Sequence, residues 1–348
     1  MSPSAVASLR VSSGGSVLAG RGAIVLAAMS WGAIGPVMVL LPAGTSPMVV
    51  AASRIGLGAV GFLPMAARRP LEVRALARPG ARRWLAVGIV ANVVMHGTFM
   101  LGLAWAGVAV GAMVHMGLCP VFTALADRML SGARLTRRWL VSTVLAVGGC
   151  VALVLGDGAA AGPHLALGVV AAAVSSLGYS LFTVCSARLI RQGHCSTSVM
   201  GVVFSGTAVC LFPLLLVFPV GWMLTARGCA VLAFLGLVAT SGAYCLYGYG
   251  LRHTPSSAAA VLVLAEPATA ALLAVAVLGE PLGWLGGAGL AVVFAALVMT
   301  AAPTRAGRRA PAICPRHVRG SRPGAGDRPH RVMTPAVVVA PVRLPVEA

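Results

Sequence analysis

Ten long stretches of this chain carry almost no charge: residues 22–41, 47–66, 84–105, 107–126, 139–155, 164–183, 197–218, 228–249, 256–278 and 281–301. A helix needs roughly 20 apolar residues to cross about 30 Å of hydrocarbon. Lipid offers no partner to an open backbone, so runs of this kind fold as helices that close their own hydrogen bonds. The expected fold is an all-α integral membrane protein with ten transmembrane helices. The third and fourth runs are parted only by Trp105-Ala106-Gly107. Fused, they would far exceed the bilayer, so a turn is expected there. A soluble alternative fails on composition, since 59% of the 348 residues are hydrophobic and 9% charged. That leaves too little polar surface to face water.

The basic residues set the orientation. All 26 are arginine, which excludes P-loop and Schiff-base lysine chemistry. With the N-terminus in the cytoplasm and loops alternating, 24 of them fall inside, only Arg227 falls outside, and Arg54 lies within a span. Such asymmetry predicts both termini inside a bacterial-type inner membrane. The net charge of +19 is therefore assigned to orientation and contact with anionic lipid, and nucleic acid is not an expected partner. The first run leads into further spans and lacks a small-residue cleavage site, so it reads as a span and not as a cleaved signal. Residues 302–348, rich in Pro, Arg and Gly, are expected to form a disordered cytoplasmic tail. Of the eight cysteines, Cys119, Cys150, Cys210 and Cys245 lie in apolar runs, and none shows metal-like or paired spacing. No metal or cofactor is expected.

Two segments echo each other at one offset. Pro120 and Pro267 are 147 residues apart, as are Gly132 and Gly279, and Leu135 and Leu282. The chain thus divides into a segment 1–21, a first five-helix repeat 22–157, a linker 158–163, a second repeat 164–301 and the tail. Five is odd, so the second repeat must be inverted relative to the first. Inverted repeats of this kind characterise secondary transporters, with the site near the midplane between the halves.

Several short motifs carry a family resemblance: Trp31-Gly32; Arg54; Leu103-Ala104 leading to Cys119-Pro120-Val121-Phe122; and Tyr247-Gly248-Tyr249-Gly250-Leu251 continuing to Pro255. Ala265-Glu266-Pro267 through Leu278-Gly279-Glu280-Pro281 is the most specific. Over about residues 22–301 the sequence resembles the EamA family of the drug/metabolite transporter superfamily. The resemblance implies a ten-helix bundle that moves metabolites by a gradient or by exchange. Ala133 and Arg134 depart from the pattern, because the family usually carries an acid after the fourth span; Glu280 keeps that acid in the second half.

Among seven acidic residues, Glu266 alone is read as lying well within a span, and Arg54 is the matching base. A charge at mid-membrane costs about 2.5 kcal/mol or more unless it faces a cavity or a partner. Glu266 is thus a candidate for binding a proton or a cationic group of the solute, and Arg54 for holding a carboxylate. The alternative is that both are structural, paired with each other or with helix ends. Pro120 and Pro267 are candidate helix breaks, since each removes a donor and frees a carbonyl one turn back. Asn92 and His96, one turn apart on one face, and His115 are candidate polar or proton-relay residues, or are simply bonded to neighbouring helices. Trp31, Tyr179, Tyr244 and Tyr247 could stack on an organic solute, whereas Trp84, Trp139 and Trp284 read as interfacial anchors. Gly107 and Gly111 suit close helix contact, from which no homodimer follows.

The function expected from these features is secondary transport of a small organic metabolite: an amino acid, a related metabolite or a toxic analogue. Export by proton coupling or exchange is favoured over uptake. A non-transporting accessory protein is a weaker alternative. An intramembrane enzyme would need a nucleophile–base pair or a metal motif at membrane depth, and the sequence has neither.

Overall fold

A computed structural model describes residues 3–42, 44–132, 135–156, 162–279 and 283–302. The described residues are helical, with no strand among them. In chain order the helices are α1 (Pro3–Gly32), α2 (Ile34–Met38), α3 (Pro47–Ala67), α4 (Pro70–Leu76), α5 (Pro79–Ala106), α6 (Val108–Ser131), α7 (Arg137–Gly156) and α8 (Leu165–Arg191). They continue with α9 (Ser196–Leu211), α10 (Leu214–Val217), α11 (Ala226–Ala233), α12 (Ala243–His253), α13 (Ser256–Leu262), α14 (Ala265–Leu273) and α15 (Trp284–Ala301). A π-helical stretch, Phe234–Gly242, joins α11 to α12 as one span, and a second, Ala274–Leu278, extends α14.

Nine helices among the described residues are long and apolar enough to cross a membrane. The expected fifth run lies on α7, a 20-residue helix outside those nine. The third and fourth spans separate as the sequence requires, at Gly107, whose φ of +92° is open to glycine. Proline sits at the first helical turn of α3 and α5, where its missing N–H goes unneeded. Gly132 and Gly279 both adopt the left-handed conformation that closes a helix (φ +66° and +70°). Their common offset from the two prolines thus has a structural meaning: each ends the span that carries its proline. The linker core (157–161), Ala133, Arg134, Glu280, Pro281, Leu282 and the tail beyond Ala302 lie outside the described residues.

The spans pair in a reciprocal pattern. The third packs on the sixth (α5 on α8) and the eighth on the first (α12 on α1). The fourth packs on the sixth (α6 on α8) and the ninth on the first (α13 and α14 on α1). Second with seventh (α3, α9), fourth with ninth (α6, α13) and fifth with tenth (α7, α15) are their own counterparts, and second with eighth (α3 on the π-helical stretch Phe234–Gly242) mirrors third with seventh (α5, α9). Exchanging the halves maps this list onto itself. In the α7–α15 pair, Gly149 and Gly289 bring the backbones together, because a Cβ on either would lie within 2.7 Å of the other's carbonyl oxygen.

Ends that the arginine count assigns to one side do meet on one side. Arg21 donates to the carbonyls of Ala301 and Ala302 at 3.0 Å, and Arg138 to those of Met299 and Ala302, so two guanidinium groups cap the last turn of α15. Arg188 donates to Leu130 O (2.7 Å) with its guanidinium 4.3 Å from the Trp84 ring centre. Trp139 Nε1 donates to Ser257 O at 3.1 Å, whereas Trp284 is largely exposed. At the opposite ends, Gly162 N and His164 N donate to Ala106 O and Trp105 O.

Candidate functional site

The ninth span supplies the first element of the site. Pro267 has no N–H, so the carbonyl of Val263 is released from the helical ladder and accepts instead from Glu266 N at 2.8 Å. The helix breaks at Val263–Leu264, between α13 and α14, and Glu266 stands in the first turn after the break. Glu266 also lies midway along the span Ser256–Val277. Pro120 behaves differently: α6 runs through it uninterrupted, so the helix break expected there is corrected to an internal proline. Against α8, Ser176 Oγ donates to Cys119 Sγ (3.3 Å) and Thr123 Oγ1 to Ser180 Oγ (3.0 Å), which ties α6 to α8 on either side of it.

The eighth span supplies the second element. Within its π-helical stretch, Thr240 Oγ1 donates to Leu235 O, and Ser241 Oγ donates to Gly236 O and across to Gly58 O on α3. Extended π-helical segments are rare and concentrate at functional sites. Here the stretch presents Thr240 to Arg54, whose Nη1 donates to its hydroxyl at a long 3.5 Å. It also presents Ala239 O, which accepts from Trp31 Nε1 at 2.9 Å.

Arg54 and Glu266 are within electrostatic reach of each other. They form no direct ion pair, and the Glu266 carboxylate has no hydrogen bond among the described residues. Both side chains are half-buried. Mutual pairing, one of the two forms of the expected structural alternative, is therefore not what the geometry contains.

An aromatic cluster reaches this pair through Tyr244, which is within electrostatic reach of both charges. Trp31 lies 4.8 Å from Tyr244 and 5.5 Å from Tyr247 between ring centres, and Tyr244 contacts Phe204 at 4.2 Å. Tyr179 and Tyr247 share a hydrogen bond between hydroxyls (2.8 Å), and Thr183 joins Tyr247 at 3.0 Å. His115 extends the cluster, 6.2 Å from Tyr179 and 4.8 Å from Phe99. Its Nε2 lies 3.7 Å from Cys119 Sγ. Asn92 and His96 share the buried face of α5 as expected; Asn92 Nδ2 donates to Thr207 Oγ1 at 2.9 Å.

Trp31, Tyr244, Tyr179 and His115 are thus joined in one cluster, with Tyr244 within electrostatic reach of both Arg54 and Glu266 and His96 within reach of Arg54. Tyr247, which the sequence offers as one of four aromatics able to stack on a solute, turns out to be the hub of the cluster. Thr183 and Thr240 carried no signal at all, because isolated threonines are common in membrane helices. Asp127 is a correction: α6 reaches further than the expected 107–126, so a second acid lies within a span. It is 3% exposed and 3.6 Å from Arg191.

A cation and a carboxylate that form no ion pair with each other, with Tyr244 beside them, supply the polar and flat contacts that an organic solute needs. Comparison with known proteins agrees in class. A profile of the EamA-like transporter family matches residues 18–155 and again 166–302. An uncharacterized transporter of Bacillus subtilis (strain 168), YwfM, is 34% identical over 291 residues, covering 81% of this chain and 94% of the relative. A crystal structure superposes with a TM-score of 0.68 at 22% identity, over 82% of this chain and 96% of that one, a likeness of fold.

Proposed function

The chain belongs to the EamA-like transporter family, and from that premise we propose that it exports a small organic metabolite through a midplane site between two inverted halves. The solute class is an amino acid, a related metabolite or a toxic analogue, moved by proton coupling or exchange. The observation that carries this reading is the unpaired state of Arg54 and Glu266. Two membrane-buried charges within electrostatic reach would normally close into an ion pair, because leaving them apart in hydrocarbon is costly. Their separation makes sense if a solute, a proton or water completes each of them in the working cycle. The reciprocal pairing of spans supports a halved, inverted architecture with residues 22–157 and 164–301 as its repeats.

The test is a comparison of medium and cell extracts from bacteria lacking or overexpressing the gene, by untargeted mass spectrometry. A compound whose export rises with expression and falls on deletion is expected. Unchanged extracellular profiles, with the protein present in the membrane, would exclude export. Accumulation of that compound inside the overexpressing cells would instead establish uptake.

We also propose that both termini face the cytoplasm, on the strength of the arginine distribution. Cys229 is exposed at the start of the eighth span, on the face with Arg227, and Cys195 lies between α8 and α9 on the arginine-rich face. A membrane-impermeant maleimide should label Cys229 in intact cells, and should label Cys195 only in inside-out vesicles. The reverse pattern would invert the topology.

A further inference from the structure

The seam where span four meets span six is polar along its length. On α6, His115, Cys119, Thr123 and Asp127 recur at every fourth residue, so they share one face over roughly 18 Å of helix. All four are buried. The facing side of α8 carries Ser176 and Ser180, buried as well, and its last residue is Arg191. The contacts follow one another toward the arginine-rich ends. Ser176 Oγ donates to Cys119 Sγ at 3.3 Å, and Ser180 Oγ to the carbonyls of Ser176 (2.8 Å) and Cys119 (3.3 Å). Thr123 Oγ1 donates to Ser180 Oγ at 3.0 Å, and Arg191 Nη2 stands 3.6 Å from Asp127 Oδ1.

Span nine on span one is the equivalent seam when the halves are exchanged, and its chemistry differs. At the 147-residue offset Glu266 stands for Cys119, Ala270 for Thr123 and Ala274 for Asp127. Gly32 holds the place of Ser180: a Cβ there would lie 2.5 Å from the Glu266 carbonyl oxygen and 3.1 Å from Ala270 N. Close backbone packing closes this seam, and among the described residues no ion pair bridges it. The two closures respond differently to water. A hydrogen bond within the protein exchanges for one to water at little net cost, and so does an ion pair with an exposed member. Tightly packed backbone loses its contacts outright when it separates. The polar seam is the one built to part and reseal.

We propose that the α6–α8 seam is a polar latch that closes the site on the arginine-rich side, with Asp127 and Arg191 as its outermost contact. It parts, and water replaces its hydrogen bonds, when the site opens to that side. The latch thereby biases the protein toward the state closed there. This rests on the transport reading and extends it by naming the contact that one half of the cycle must break.

The test uses native cysteines of the full-length protein in lipid nanodiscs, alkylated with N-ethylmaleimide and followed by peptide mass spectrometry. Cys119 lies two turns inside Asp127 and reports on the latch. Cys185, on the side of α8 that packs against Gly88 of α5, and Cys150 of α7 are buried outside it and report on general loosening. Asp127→Asn and Arg191→Gln should each raise the rate at Cys119 about fivefold, the worth of a partly exposed ion pair, because labelling through a transient opening tracks the open population. Cys185 and Cys150 should keep their wild-type rates. An unchanged Cys119 rate in either variant overturns the latch. Equal acceleration at all three cysteines also overturns it, since that is ordinary destabilisation. Labelling needs no solute, so failure here leaves the transport reading standing, and a failure of flux leaves the latch to be decided by this result.

Discussion

Replacing Glu266 with glutamine is expected to lower solute flux by about 100-fold, the effect of losing roughly 3 kcal/mol at a buried charged contact. The substitution preserves size and shape, so the helix break at Val263–Leu264 and the backbone bond from Glu266 N to Val263 O should persist. Thermal stability in detergent should therefore be close to wild type, or slightly higher, because a half-buried charge without a direct partner is removed. Flux is measured with the compound identified by the strain comparison, using protein reconstituted in liposomes. Wild-type flux from folded Glu266→Gln protein would take this carboxylate out of the mechanism.

The second large effect is structural. Gly32 packs span one directly on span nine: a Cβ there would lie 2.5 Å from the carbonyl oxygen of Glu266 and 2.8 Å from Thr269 Cβ. The first of these obstacles is backbone and cannot swing aside. Gly32→Val should cost about 3 kcal/mol, at the upper end for overpacking, and should lower the melting temperature. It should also reduce flux, because α1 would be pushed off the segment that carries Glu266. Gly35, three residues on, has open space where a Cβ would stand, with nothing within 4 Å. Gly35→Ala should be neutral or stabilising by a few tenths of a kcal/mol, since alanine is the better helix former. Equal melting temperatures for the two variants would mean that spans one and nine are not in this contact.

Much of this fold is legible in the sequence, because lipid imposes a simple rule on backbone hydrogen bonds. Unbroken apolar length marks the spans, the arginines mark one face, and Gly107 marks the turn between spans three and four. The Pro/Gly pairs at the 147-residue offset mark equivalent spans and their endings. Glu266 and Arg54 are legible for the same reason, as charges where hydrocarbon penalises them. What the sequence hides are features decided by register between helices. The π-helical stretch Phe234–Gly242 has no compositional marker, so the roles of Thr240 and the Ala239 carbonyl emerge only in three dimensions. Tyr247 becomes a hub because α12 faces α8 at that level. Pro120 and Pro267 look equivalent in sequence, yet only the second interrupts its helix; the first sits where α6 is tied to α8 through Cys119, Thr123, Ser176 and Ser180.

The central claim is that a small organic solute crosses through the site shared by Arg54 and Glu266. Its most direct test loads liposomes containing the purified protein with a bacterial metabolite extract and follows the released compounds by mass spectrometry. The account predicts that wild-type protein releases one compound or a narrow group of them. Protein-free liposomes and Glu266→Gln protein should retain them. Release that is identical in all three, from protein shown to be folded, would contradict it.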